Sequence, residues 1–120
     1  MRIALLTLAL FGAGTAQAGQ PFSQSMAECS AIYAVSADWV NDEARKGLLS
    51  NAADKWRAAA LGQAQTEGLR NPQVTIDAQF DSKRQEWLDR GRMAVFSEEF
   101  GDWFDYCRSF AKNQGIDLGL

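Results

Sequence analysis

FSEEFGDWFDYCRSFA, residues 96–111, places Phe96, Phe100, Trp103, Phe104, Cys107, Phe110 and Ala111 three or four positions apart. At 100° per residue they share a stripe about 120° wide, with Glu98, Asp102, Asp105 and Ser109 on the opposite side. That is the pattern of an amphipathic helix with one face in a core. Ser97 is a suitable N-cap, Glu98 and Glu99 suit the positive end of the helix dipole, and Gly115 supplies the stop. Phe96 stands where a hydrophobic staple packs onto the first turns. Cys107 falls inside the apolar stripe, so whatever it meets must come from the core.

Cys29 is the second of the two cysteines, and its surroundings, SMAECSAIY at residues 25–33, allow three readings. A lipoprotein signal sets a small residue directly before the cysteine at the end of the apolar leader. Here Glu28 occupies that place, and the apolar run has ended at Phe11. A reactive thiol needs a device that stabilises thiolate, such as a Cys-x-x-Cys pair, a histidine or a neighbouring lysine. Glu28 beside Cys29 and Asp105 near Cys107 do the opposite, and Arg108 is directed away from the apolar stripe. The disulfide reading agrees with the helical pattern. Met26, Cys29, Ile32, Tyr33, Ser36, Trp39 and Val40 form a stripe about 140° wide centred near Cys29, with Asp38 opposite. Ser25 and Glu28 have the spacing of a capping box for this first helix. Two cysteines, each central to the buried stripe of its own helix, predict a Cys29–Cys107 bridge between the first and last helices.

The intervening chain supplies two more helices. Asn41-Asp42-Glu43 opens the second with a cap and two acids; Leu48, Leu49, Ala52, Ala53, Trp56, Ala59 and Ala60 form its apolar side, and Gly68 stops it. Asn71 before Pro72 reads as an N-cap with proline in the first turn. The third helix then carries Ile76, Phe80, Trp87 and Ala94 on one side, blurred by Lys83 and Arg84 and ended or kinked by Gly91. Lys83, Arg84, Arg90 and Arg92 alternate with Glu86 and Asp89 and read as a solvated helix surface. Residues 19–24, GQPFSQ, form a short mobile lead-in, and residues 116–120 are long enough only to fold back over the bundle end. One tryptophan per helix, Trp39, Trp56, Trp87 and Trp103, points to an aromatic core. The expected fold is all-α: a small antiparallel four-helix bundle with one disulfide between its first and last helices.

Residues 1–18, MRIALLTLALFGAGTAQA, have the parts of a secretory leader: Arg2, an apolar run over residues 3–11, and Ala16-Gln17-Ala18 as a small-x-small cleavage site. The run is too short for a retained membrane span, which needs about 20 apolar residues. Cleavage after Ala18 leaves residues 19–120 as one helical domain, with no stable membrane anchor. The predicted location is periplasmic or secreted, where a disulfide persists. The full chain carries a formal charge of −3, with 12 basic and 15 acidic residues, so nucleic acid and anionic membrane are poor partners.

There is no histidine, which removes the commonest general base, metal ligand and haem ligand together. No catalytic grouping, metal site or cofactor motif is visible. These features favour a non-enzymatic protein-binding or accessory factor of the bacterial envelope. Tyr106 on the last helix and Phe22 in the lead-in are the aromatic candidates for contact with a partner. Two rival readings are a carrier holding a small apolar ligand in the bundle interior and an enzyme that draws on the carboxylates of Glu98, Asp102 and Asp105. Neither the identity of a partner nor the oligomeric state is written in the sequence.

Overall fold

The computed structural model describes residues 19–120, so the leader and its cleavage site lie outside the described residues. Four helices follow in order: α1 (Phe22–Trp39), α2 (Glu43–Thr66), α3 (Pro72–Arg90) and α4 (Glu98–Gln114), with a 3₁₀ segment over Arg92–Phe96 between the last two. Short links between consecutive helices produce the expected antiparallel bundle. Cys29 and Cys107 are joined, with their Cα atoms 5.7 Å apart, and the bond ties the first helix to the last.

The interior is organised around α1. Twelve of its 18 residues are buried, where the sequence pattern had led us to expect a stripe on one side. The residues outside that stripe explain the difference: Ala27, Ser30, Ala31 and Ala37 are small enough for neighbouring helices to approach. α2 and α3 flank α1, and the disulfide ties α4 to it. Serine hydroxyls in this crowded helix find partners. Ser30 donates to the carbonyl of Ala53 on α2 at 2.7 Å, and Ser36 donates to the carbonyl of Ile32 at 2.8 Å. A buried hydroxyl without such a partner would be costly.

The start of α1 differs from the capping-box expectation. The helix begins at Phe22, three residues before Ser25, and Pro21 is its N-cap residue without a side-chain hydrogen bond. Residues 22–24 therefore belong to the helix rather than to a mobile lead-in. Gln20 donates to both Ser25 Oγ and Glu28 Oε1, at 2.9 and 2.7 Å, which takes both groups away from the predicted box. The cap comes instead from Glu67, at the C-terminal end of α2: its carboxylate accepts from the Ser23 backbone N–H at 3.1 Å and from the Ser23 hydroxyl. An anion at a helix N-terminus satisfies free N–H groups and complements the dipole.

Desolvation opposes ionisation of Glu67, but hydrogen bonds from the Ser23 hydroxyl, Gln63 and the Ser23 backbone outweigh it and lower the carboxyl pKa. A carboxyl with a depressed folded-state pKa adds stability that is present above its unfolded value and lost as pH falls through the folded value. Glu67→Gln is expected to cost about 1 kcal/mol at neutral pH, typical for loss of a cap. Urea denaturation of both proteins should show the difference narrowing on acidification below the ordinary glutamate pKa.

The other helix ends follow local chemistry. Asp42, one residue later than the expected cap, accepts from Ala44 N at 3.1 Å to start α2. α3 starts at Pro72 as read. Ser97 Oγ accepts from Phe100 N at 3.2 Å, and Gly115 closes α4 at φ +70°, a conformation that suits glycine. Beyond it, Leu118 is buried and Lys55 donates to the Asp117 carbonyl at 2.7 Å, so the tail folds back.

The basic cluster on α3 is more than a solvated surface. Lys83 is only 7% exposed, with its ammonium 4.7 Å from the centre of the Trp103 ring and 3.3 Å from Glu86. Its aliphatic stem is buried while the charge finds an aromatic face and a carboxylate. Arg90 similarly lies over Trp87 and pairs with Glu99 at 2.6 Å, and Arg84 pairs with Asp38 at 2.8 Å.

Candidate functional site: an apolar groove rimmed by arginines

Gly91, at φ +83°, ends α3 and turns the chain into the 3₁₀ segment. Side chains three apart share a side of such a turn, which aligns Met93 with Phe96. Both face outward, at 72% and 80% exposure, while Ala94 alone of the segment is buried. This overturns the staple expected of Phe96. The position a staple would pack against is occupied by Gly101, which has no side chain to offer.

The exposed residues border a groove of about 790 Å³ at one end of the bundle. Its walls are Trp39 and Val40 at the end of α1, Leu48 and Leu49 in the early turns of α2, Met93, Val95 and Phe96 of the 3₁₀ segment, and Phe100 and Phe104 of α4. Leu120 of the returning tail completes it. Leu48 and Leu120, at 47% and 63% exposure, are large apolar residues without a core partner. Apolar side chains from five parts of the chain thus converge on one surface, an arrangement associated with binding.

The charged side chains of the groove have one sign. Arg45, Arg92 and Arg108 belong to its lining and no Asp or Glu side chain does. Arg108 pairs outward with Asp105, whereas Arg45 and Arg92 form no ion pair among the described residues. A neighbouring depression of about 410 Å³ shares Arg108 and Leu120 with it and adds Lys112 and Asp117. The positive strip is set on a chain whose overall charge is negative.

Phe22 and Tyr106 meet elsewhere. Their rings lie 5.2 and 5.5 Å from that of Phe110, and Tyr106 also packs edge-on against Trp103 at 5.7 Å. The structure brings the two together in one aromatic row, with Phe22 half exposed and Tyr106 partly buried, but neither lines the groove. Glu98, Asp102 and Asp105 are exposed on α4, and none lines the groove. Among the described residues, no group of three or more acids or cysteines is placed to hold a metal ion, and no helix is long and apolar enough to cross a membrane. The cavity anticipated for a carrier, in the bundle interior, is displaced to the groove at its end, because aromatic rings fill the centre.

A smaller cleft of about 190 Å³ lies among α1, α2 and α3, and its charges are largely spoken for. Arg84 holds Asp38, and Arg57 holds Asp77, whose carboxyl is kept below its usual range chiefly by that hydrogen bond.

Tyr33 packs edge-on against Phe104, a groove residue, at 4.9 Å, and its hydroxyl finds no partner among the described residues. Burial pushes its pKa up, and the charge of Arg108 offsets this only in part. Above the ordinary tyrosine pKa the unfolded chain therefore releases a proton that the folded chain keeps, so stability falls as pH rises. Tyr33→Phe is expected to be neutral or to stabilise by up to about 1 kcal/mol at pH 7, because it removes an unpaired buried polar group. Denaturation curves at neutral and alkaline pH should show the advantage of the variant growing as pH rises past 10.0.

Fold and site together define a disulfide-stapled four-helix bundle with an apolar, cation-rimmed groove at one end. Compared with known proteins, the chain matches no family model, no curated protein and no solved structure.

The groove was the part of the site that sequence reasoning missed. Its signal was the run Met93-Ala94-Val95-Phe96, four apolar residues in succession between Gly91 and the Ser97 cap. No helical stripe can bury four consecutive side chains, so part of that run had to face outward.

Proposed function

We propose that the protein is an exported, non-enzymatic binding factor of the bacterial envelope, periplasmic or secreted, that engages another protein through the end groove. The leader-like residues 1–18 and the compartment implied by a disulfide support export. The observation that carries the binding reading is the clustering of exposed Leu48, Met93, Val95, Phe96 and Leu120 around one groove. Scattered apolar residues need no explanation, but a contiguous set does.

The test is photo-crosslinking in the producing cell, with a photoreactive residue at Met93 and, as a control, at Val74, which is exposed on α3 and does not line the groove. A discrete protein adduct is expected from position 93, absent from position 74 and lost with Phe96→Asp. Adducts at both positions, or none, would count against the groove. The groove volume, within the range of about 300–1,000 Å³ typical of ligand sites, also favours the carrier reading. Crosslinking to lipid alone would select it. Intact mass of the recovered protein checks maturation: loss of residues 1–18 and of two hydrogens is expected.

A further inference from the structure

We infer that the segment received by the groove is an amphipathic helix with acidic residues beside its apolar face, an inference that rests on the protein-binding reading above. Shape is the first argument. Phe100 and Phe104 line the groove, Arg108 lines both depressions and Lys112 lines the second, at intervals of four along α4. From Phe100 to Lys112 a helix rises about 18 Å, so the two depressions form a trough rather than a pit. About three turns of a partner helix match that length, and such a helix buries apolar anchors three and four residues apart.

Charge is the second argument, and it separates a helix from a single-headed amphiphile. Arg92 precedes the trough at the Phe96 end, Arg108 stands on α4 two turns beyond Phe100, and Arg45 comes from α2. A fatty acid has one carboxylate, which can meet one end of this arrangement and leaves the other cations unused. A helix can carry several carboxylates along its flanks, enough to reach Arg45 and Arg92, which have no ion pair among the described residues, and to share Arg108 with Asp105. Arginine also suits the role because its planar group pairs with carboxylate in two-point contacts. Rim charges of this kind chiefly steer association and select against partners of the wrong sign.

The test pans the oxidised protein against a displayed library of 16-residue amphipathic helices whose flanking positions vary among Glu, Gln and Lys. Selected peptides are expected to be acidic. A selected peptide should bind at least about tenfold more tightly than its Glu→Lys counterpart at low salt, with the gap narrowing as salt screens it. The doubly substituted Arg45→Glu, Arg92→Glu protein should lose or reverse that preference, and Phe96→Asp should weaken both peptides. All three residues are exposed, so the fold should persist in these variants.

Enrichment without charge preference, with binding still lost in Phe96→Asp, overturns the acidic-helix inference and leaves the groove reading standing. Equal binding to Phe96→Asp, or no enrichment, overturns both. One-to-one displacement of the selected peptides by oleate at lower concentration would assign the groove to a lipid and also overturn the inference.

Discussion

Loss of the Cys29–Cys107 bridge is expected to lower stability by about 4 kcal/mol, because the bond closes a long loop and restricts the unfolded chain. For a domain of this size that corresponds to a fall in melting temperature on the order of 20 °C. Total stability is typically about 5–15 kcal/mol, so the bridge accounts for a large share of it. The measurement is thermal and urea melting of the Cys29→Ala, Cys107→Ala double variant beside the oxidised protein. A difference under about 1 kcal/mol would contradict the loop-entropy argument. Both cysteines are fully buried, so a thiolate reagent must wait for the fold to open. Mild reductant should therefore leave the native protein oxidised, and the same reductant with denaturant should reduce it.

Trp103→Ala should be of comparable size. Trp103 is buried against Tyr106 and receives the Lys83 ammonium on its ring face. Truncation removes the burial of a large aromatic and leaves a cavity, at a cost of about 3–5 kcal/mol. It also deprives a buried cation of one of its two partners. A double-mutant cycle with Lys83→Met isolates that second effect. Lys83→Met should be more damaging in the wild type than in Trp103→Ala, by about 1 kcal/mol. Additive changes in urea melts would show that Lys83 and Trp103 are merely neighbours.

What could be read from the sequence depended on how local the physics was. α4 was legible because large apolar residues and acids segregate sharply around it and Ser97 caps it within three residues. The disulfide followed from two such stripes. α1 was only half legible: its alanines and serines look neutral to a search for amphipathicity, yet their small size lets three helices surround it. The cap on α1 was hidden because Glu67 lies 44 positions from Ser23. Lys83 was assigned to water because its charge was weighed without its stem or the indole beneath it. The groove was least visible of all, since α1, α2, the 3₁₀ segment, α4 and the tail each contribute a wall and none is sufficient alone.

The position of the bridge has a mechanical consequence. Cys107 stands near the middle of α4, whose first half forms part of the groove. On the proposed binding reading, a load applied by a partner would enter the molecule in part through α4 and the 3₁₀ segment, which line the groove. Noncovalent packing alone would let that helix peel away from one end, breaking contacts a few at a time. The sulfur–sulfur bond acts as a rivet to α1, so peeling halts at the middle of the helix and the pull is shared across the bundle.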